Sequence, residues 1–201
     1  MRGFEQIPWL YDPCCRLLEA TGLGRWRLWL TRGARGRTLD IGCGTGRNLP
    51  LLPDGTIGID PAMEPLRRAR RRAPKALLVR ASAEALPFKA GVFETVVSGL
   101  VFCSVNEPAR GLAEVQRVLA PDGNLRMLEH VRSSSRAGAW LQDFLLPAWT
   151  CVSGGCRNNR DTVGAVRAAG FTIDPASYRA NGTMRRFSAR AHQTLSLGPG
   201  A

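Results

Sequence analysis

A glycine-rich turn between two acidic residues is the part of this sequence best suited to chemistry. Residues 38–46 read TLDIGCGTG, and Asp40 lies in the short apolar run that precedes the turn. Three glycines at alternate positions follow: Gly42, Gly44 and Gly46. A strand that runs into such a turn brings bare backbone close to a ligand at the start of a helix. Asp60 ends the next apolar run, where an acid can accept hydrogen bonds from ribose hydroxyls. The spacing therefore predicts a site for a nucleoside-containing cofactor.

The glycine spacing also indicates which class of ligand the turn can bind. The dinucleotide fingerprint is G-x-G-x-x-G, but Arg47 occupies the third glycine position here. A P-loop is excluded because no Gly-Lys-Ser/Thr follows, and Lys75 and Lys89 are far from the turn. An acid two residues before G-x-G-x-G resembles motif I of the class I methyltransferases that use S-adenosylmethionine (SAM). That cofactor has no phosphate. A helix N-terminus near Asn48 can receive its carboxylate, and Asp40 and the turn carbonyls can accept from its ammonium.

The resemblance extends over most of the chain. Residues 39–46 resemble motif I, 58–61 the segment after it, and 83–88 the segment that lines the adenine. Residues 93–98 resemble strand four, and 114–123 the helix and turn before strand five. The resemblance implies an α/β fold in one domain, a Rossmann-like, mostly parallel sheet of seven strands with helices on both faces. The implied strand order is 3-2-1-4-5-7-6, with the last strand antiparallel, and the implied cofactor is SAM.

The same resemblance assigns cofactor-binding positions along the chain. They are Tyr11, Asp40, Gly42, Cys43, Gly44, Gly46, Asn48, Asp60, Pro61, Met63, Ser82, Ala83, Glu84 and Gly99. Two positions depart from the family pattern. Ser82 stands where an acid usually precedes the Ala-Glu pair, and a hydroxyl accepts a weaker hydrogen bond than a carboxylate. Glu94 replaces the usual aspartate at the start of strand four.

Two further segments narrow the range of possible methyl acceptors. Residues 127–131 (MLEHV), with Trp149, Cys156 and Arg160, resemble the small-molecule thiol S-methyltransferases. Residues 4–12 resemble an N-terminal cap shared with quinone C-methyltransferases. The expected function is methyl transfer to a small, fairly apolar acceptor, with a thiol as the first hypothesis. A quinone, phenol or lipid acceptor is the alternative, and RNA is a weaker one.

His130 is the predicted catalytic residue. It follows strand five, whose carboxyl end should open toward the cofactor. A histidine there can accept a proton or, when charged, stabilise a thiolate. A histidine that only orders the loop after the strand fits the sequence equally well. Glu129 has a similar alternative, a structural hydrogen bond at the strand end.

Other residues near this segment also have two interpretations each. Arg160 either holds an acidic acceptor or fixes the loop before the helix that starts near Asp161. Cys156 is interpreted as a packing residue rather than a nucleophile. The aromatic residues of the next helix either line an acceptor pocket or, more often at helical spacing, belong to the core: Trp140, Phe144 and Trp149.

Composition bounds the partners and the compartment. The 201 residues carry a formal net charge of +12 and a pI of about 10.8, which suits nucleic acid, an anionic membrane surface or acidic substrates. Arginine greatly outnumbers lysine, and the basic run 67–72 is interpreted as a solvated helix face. No nucleic-acid partner is expected, while weak contact with an anionic membrane surface stays open. The six cysteines show no paired spacing, so no metal site is predicted. Reduced thiols and the lack of a recognisable signal peptide indicate a cytoplasmic protein.

Short apolar runs alternate with helical patterns, which is typical of a parallel sheet wrapped by helices. Strands are expected at 38–41, 56–59, 76–79, 95–98, 125–128, 171–173 and 184–191. Helices are expected over 4–30, from Pro61 with Met63, Leu66 and Ala69 inward, from a cap at Asn106, over 139–152 with a break at Pro147, and from Asp161 to Gly170. The expected organisation is a helical cap and connector at 1–37, a methyltransferase domain at 38–195 and a flexible tail at 196–201.

Overall fold

The computed structural model describes residues 22–192 of the chain. Tyr11, most of the expected cap at 1–37 and the expected tail at 196–201 therefore lie outside the described residues. None of the helices within 22–192 combines the length and the apolar character needed to cross a membrane.

A twisted central sheet organises the described residues. Its strands are β1 (Thr38–Ile41), β2 (Ile57–Asp60), β3 (Leu77–Arg80), β4 (Phe93–Gly99), β5 (Leu119–His130), β6 (Phe171–Ile173), β7 (Arg179–Asn181) and β8 (Met184–Ala191). The order is β3-β2-β1-β4-β5-β8-β6, with β1 to β5 parallel. Strand β8 runs antiparallel to both β5 and β6. The expected Rossmann-like arrangement and strand order are confirmed.

The sheet has one strand more than expected. Strand β7 pairs with the start of β8 in a hairpin whose turn contains Gly182 at φ +52°. Its three residues are all exposed, so they carry no apolar alternation that a sequence pattern could reveal.

Five α-helices flank the sheet in the described residues. They are α1 (Gly24–Arg32), α2 (Met63–Arg72), α3 (Pro108–Val118), α4 (Arg136–Ser153) and α5 (Thr162–Ala168). After the glycine turn there is only a short 3₁₀-helix, Leu49–Leu51. Helix α5 begins as predicted, because the Asp161 carboxylate accepts from the Gly164 N–H at 2.8 Å.

Several local predictions were wrong. Asn106 does not cap α3, whose N-cap is Glu107 and which has proline in its first turn instead. Pro147 does not break α4, which runs through it for 18 residues. Both Pro147 and Asp143 are exposed there, so the carbonyl that loses its helical donor can be hydrated. The turn predicted at residues 121–123 is part of β5, beside an irregularity in the register with β4.

The core lies on both faces of the sheet. Adjacent β4 residues Val96 and Val97 point to opposite faces, and each is completely buried. One face packs against α3 and the other against α1 and α2, as a parallel sheet covered on both sides requires. In α2, Leu66 and Ala69 are buried, but Met63 is 48% exposed. The prediction that Met63 faces inward was therefore wrong. Met63 is the first residue of α2 and lies at the end of the helix.

Candidate active site

The carboxyl ends of β1, β2 and β4 open onto a cleft of about 350 Å³. Eight of the predicted cofactor residues line it: Gly42, Gly44, Asp60, Pro61, Ser82, Ala83, Glu84 and Gly99. The wall after β4 is formed by Leu100, Val101, Ser104 and Val105. The cleft lies where ligands bind in open α/β sheets, outside the carboxyl ends of the parallel strands.

The three glycines of the turn serve different purposes. All have positive φ: +59° at Gly42, +53° at Gly44 and +79° at Gly46. A Cβ on Gly42 would lie 2.6 Å from a methyl of Val101, and one on Gly46 would lie 2.8 Å from the Ala69 Cα. A Cβ on Gly44 would meet only the Gly42 carbonyl oxygen, at 4.0 Å. Gly44 is thus the glycine whose backbone is open to a ligand, while Gly46 lets α2 approach the turn.

Asp60 joins the glycine turn to the second strand. Its Oδ2 accepts from the Gly44 N–H at 3.1 Å, and its Oδ1 accepts from the Ala62 N–H at 2.8 Å. Burial raises the pKa of this carboxyl, and the two backbone donors act against that rise. A carboxylate has about four acceptor positions, so Asp60 can still accept from hydroxyl groups in the cleft.

Asp40 lies beneath the turn and is fully buried. Its Oδ1 accepts from the Asn48 amide at 3.0 Å, and Asn48 in turn accepts from Arg27. Its Oδ2 has no hydrogen-bond partner among the described residues. Burial raises the pKa of Asp40 to about 7. A buried carboxylate oxygen without a donor fits a bound cationic group, because it is otherwise costly.

Four other predicted cofactor residues do not line the cleft. Cys43 packs beneath the turn and its N–H donates to the Ile59 carbonyl at 2.8 Å. Asn48 is used to hold Asp40, and Gly46 faces α2. Met63 points to solvent. Sequence spacing places these residues near the turn but does not say which way each one faces.

The segment predicted to line the adenine is held by its own glutamate. Glu84 accepts from the Ser82 hydroxyl at 2.8 Å and from the Glu107 N–H at 2.7 Å. The hydrogen bond from Glu107 lowers the pKa of Glu84, so the side chain is ionised. Ser82 donates its proton to Glu84 and its oxygen accepts from the Glu84 N–H at 3.3 Å, which leaves one further acceptor position on that oxygen.

Glu129 organises the wall after β4. Its Oε1 accepts from the Ser98 hydroxyl at 3.0 Å and from the backbone N–H groups of Val101 and Phe102 at 3.1 and 3.2 Å. Its Oε2 accepts from the Cys103 N–H at 3.4 Å. These hydrogen bonds support the interpretation of Glu129 as a structural residue at the end of the strand. Arg160 acts on the same loop, because its guanidinium donates to the carbonyls of Phe102, at 2.9 Å, and Val105.

Leu100 is a cleft residue that the sequence analysis missed. Its φ is +64°, and among the described residues it is the non-glycine with a positive φ. Its N–H donates to the Leu128 carbonyl at 2.7 Å, which holds the strained turn in place. A leucine carries no signal for a left-handed conformation, so no pattern could have singled it out.

His130 lies beside this wall rather than among the cleft-lining residues. It is half-buried, and its Nδ1 is 3.9 Å from the Cys156 sulfur. Its ring meets the edge of Trp149 at 6.3 Å between centroids. Trp140 and Phe144 stack on each other at 5.5 Å and are 65% and 68% exposed, so the core interpretation is wrong for them. Neither residue lines the cleft.

The fold is that of a Rossmann-like protein with a cleft at the carboxyl ends of its parallel strands, and comparison with known proteins gives the family. Residues 39–127 match the family model described as a methyltransferase domain. A thiol S-methyltransferase of Homo sapiens is 33% identical over 144 residues, 67% of this chain and 59% of that protein. A demethylmenaquinone methyltransferase of Renibacterium salmoninarum is 29% identical over 63% of this chain and 56% of that one. The chain spans about three fifths of the length of these curated relatives.

A solved structure agrees with the fold over nearly the whole chain. A SAM-dependent methyltransferase from Thermotoga maritima superposes with a TM-score of 0.72 at 21% identity, covering 93% of this chain and 97% of that one. The protein belongs to the class I SAM-dependent methyltransferases, and SAM is the cofactor of that family.

Proposed function

We propose that this protein transfers the methyl group of SAM to a small, fairly apolar acceptor, and that the acceptor is a thiol. One observation carries the methyltransferase proposal. The Asp60 carboxylate and the open backbone of Gly44 lie 3.1 Å apart and line the same cleft. A carboxylate beside a glycine that leaves room for a ligand suits a ribose with a charged tail.

The residues of the cleft fit SAM by type. Asp60 would accept from the ribose hydroxyls, and Ser82 with Ala83 would contact the adenine. Asp40, whose Oδ2 has no partner among residues 22–192, would compensate the ammonium from beneath the turn. When bound, SAM supplies a methyl group that is already activated on a sulfonium.

The protein then has to align the acceptor and exclude water. Correct orientation alone can contribute up to about 7–11 kcal/mol to such a reaction. Leu100, Val101 and Val105 give the cleft an apolar wall for this purpose. A thiol with a pKa near 8.5 needs only about 2 kcal/mol to become fully anionic at neutral pH. The action of His130 on the acceptor stays a prediction, since its Nδ1 faces Cys156.

The thiol is favoured by similarity to the thiol S-methyltransferases. A quinone or phenol acceptor is the second candidate, favoured by similarity to a demethylmenaquinone methyltransferase. Incubation with labelled methyl donor and a panel of alkyl thiols, phenols, quinols, lipids and RNA separates them. Methylation of the thiols supports the first candidate. Clear transfer to another class without thiol methylation would replace it.

Cofactor binding is tested separately from the acceptor. S-adenosylhomocysteine, the demethylated product, should raise the thermal midpoint of the protein, and Asp60→Ala should abolish the rise. Asp54→Ala is the matched control, because Asp54 is an exposed acid that pairs with Lys75 at 2.8 Å, outside the cleft. A rise with NAD in place of S-adenosylhomocysteine, or a full rise in Asp60→Ala, would contradict the proposal.

We also propose a cytoplasmic location with weak contact to anionic membrane surfaces, and no nucleic-acid partner. The cysteines 43, 103, 151 and 156 are free thiols, which suits a reducing compartment. The exposed apolar side chains of α4 and the net charge of +12 suit an anionic lipid surface. Cell fractionation tests the location, and co-sedimentation with lipid vesicles tests the membrane contact.

A further inference from the structure

Three side chains that are far apart in the sequence converge beside the cleft. The sulfurs of Cys103 and Cys156 and a ring nitrogen of His130 all lie within 4.8 Å of one another. The Cys156 sulfur is 3.9 Å from His130 Nδ1. The cysteines are 1% and 2% exposed, and His130 is half-buried. This Cys-His-Cys cluster consists of those three residues and has no part in the proposed cofactor contacts.

The backbone holds each member of the cluster in place. The Cys103 N–H donates to Glu129 at 3.4 Å, and the Arg157 N–H donates to the Cys103 carbonyl at 2.8 Å. The Cys156 N–H donates to the Ser153 hydroxyl at 3.2 Å. His130 is the last residue of β5 and pairs with Met184 of β8. The three ligand atoms are therefore brought together by the fold.

The chemistry of the cluster suits a thiophilic cation. Two thiolates and one imidazole are ligands that Zn²⁺ prefers, at about 2.3 Å for sulfur and about 2.0–2.1 Å for nitrogen. Tetrahedral ligands at those distances lie roughly 3.3–3.8 Å apart, so a contraction of about 1 Å or less completes the site. Two thiolates also neutralise a divalent ion, which a buried position requires.

A cation lies next to the cluster. The Arg160 guanidinium donates to the carbonyls of Phe102 and Val105 and interacts electrostatically with both sulfurs. Positive charge beside a thiol favours its thiolate form, and a metal ion that binds completes the deprotonation.

We propose that Cys103, His130 and Cys156 bind a thiophilic divalent cation, with Zn²⁺ as the test ion. The ion would join the loop after β4 to the segment after α4. Cleft-lining residues flank the cluster on both sides, Val101 and Ser104 around Cys103, and Gly154 near Cys156. The ion would therefore fix one wall of the cleft. The sequence predicts no metal site, because the cysteines lack paired spacing. Only the fold brings these ligands together.

Cobalt substitution tests the site directly and independently of any methyl transfer. The reduced full-length protein, stripped of metal, is titrated with Co²⁺. We expect saturation at about one ion per chain, with a thiolate-to-cobalt charge-transfer band in the near ultraviolet and tetrahedral bands in the visible. Zn²⁺ should displace the cobalt bands, and Mg²⁺ should not.

Variants locate the site. Cys103→Ser, Cys156→Ser and His130→Gln should each lose or shift the cobalt bands. Cys151→Ser is the control, because Cys151 is an exposed thiol in α4, outside the cluster but close to Cys156 in the sequence. Circular dichroism checks that each variant is folded, and the wild-type titration needs no variant. The proposal is overturned if the reduced wild-type protein shows no charge-transfer band. It is also overturned if Cys151→Ser loses the bands as fully as Cys156→Ser, or if Cys103 and Cys156 form a disulfide that reductant does not open.

Discussion

The buried Asp40 carboxylate lowers the stability of the ligand-free protein when it is ionised, and the same negative charge favours a bound cationic group. Burial raises the pKa of its carboxyl from 3.8 to about 7 in the ligand-free fold. In the unfolded chain the same group titrates near 3.9. Between those values the native state binds the proton and the unfolded state does not, so this residue's contribution to the free energy of unfolding falls as pH rises from about 4 to about 7. A cationic group bound above the turn would stabilise the ionised carboxylate and so remove this loss of stability.

Asp40→Asn should therefore stabilise the ligand-free protein at pH 8 by about 2–4 kcal/mol and leave it nearly unchanged at pH 4. An asparagine keeps a carbonyl for the Asn48 amide but carries no charge. The measurement is denaturant unfolding across pH, with the exposed Asp54→Asn as control. Parallel curves for wild type and Asp40→Asn would contradict the assigned cause. The thermal shift with S-adenosylhomocysteine should shrink in the same variant.

At the residue scale, the sequence predicted which residues surround the turn but not what each one does. Gly44 and Asp60 line the cleft as expected, while Cys43 faces the core and Met63 faces solvent. Side-chain direction depends on the rotation of each turn residue, which spacing does not encode. Leu100 has no sequence signal at all, because its conformation depends on a tertiary contact, the hydrogen bond from its N–H to the Leu128 carbonyl of β5.

At the element scale, a pair of glycine substitutions separates backbone strain in the turn from ligand binding. Gly44→Ala and Gly55→Ala should lose similar stability, about 1–2 kcal/mol, because both glycines have positive φ and no close neighbour for a Cβ. Only Gly44→Ala should weaken the response to S-adenosylhomocysteine, since Gly55 lies outside the cleft. Chemical denaturation and thermal shift measure the two effects. Equal responses in the two variants would show that the Gly44 backbone has no ligand role.

Gly46→Ala should be more destabilising than either. Its Cβ would meet the Ala69 backbone at 2.8 Å, so α2 must move away from the turn. We expect roughly 1–3 kcal/mol of overpacking in addition to the left-handed strain. Denaturant unfolding of the three alanine variants side by side gives the ranking. A Gly46→Ala loss no larger than that of Gly55→Ala would show that the turn and α2 are not tightly coupled.

Helix α4 carries an apolar face that the described residues leave uncovered. Its members recur at helical spacing: Trp140, Leu141, Phe144, Leu145, Trp149 and Val152. The protein should co-sediment with phosphatidylglycerol vesicles at low salt and less so with phosphatidylcholine vesicles. The double change Trp140→Ser and Phe144→Ser should abolish sedimentation. Leu77→Ser is the control, as Leu77 is 56% exposed on β3, at the other end of the sheet. Binding that survives the double change would exclude this face.

Strands and helices were predicted correctly where their residues are buried. They were predicted wrongly where their residues are exposed, because exposure removes the apolar pattern. Strand β1 was predicted residue for residue, because all four residues are buried. Strand β7 is exposed and was missed, and α4 continues through Pro147 because that position is open to water. Exposed elements depend on neighbours that a local pattern does not contain.

At the scale of the whole molecule, the net charge of +12 calls for a test against nucleic acid. If the charge only solvates the surface, binding to a random RNA should be weak and should disappear between about 50 and 200 mM salt. The thermal shift with S-adenosylhomocysteine should persist over that range, because the cleft is formed by specific contacts. Filter binding and thermal shift across the same salt series measure both. RNA affinity that survives at the higher salt would revive a nucleic-acid role.

The global architecture was the most predictable level. Five segments in family order carried the resemblance, and the strand order that the resemblance implied is the one observed. The convergence of Cys103, His130 and Cys156 was not predictable, because it depends on how the loop after β4 and the segment after α4 pack against the end of β5.

The left-handed backbone of Leu100 bears on attempts to improve this protein in the laboratory. Glycine or asparagine at that position would relieve about 1 kcal/mol or more of strain, so selection for heat resistance should find such changes early. Each of them removes an apolar side chain from the cleft wall. Variants chosen only for endurance at high temperature should therefore accept a broader, less discriminating range of molecules.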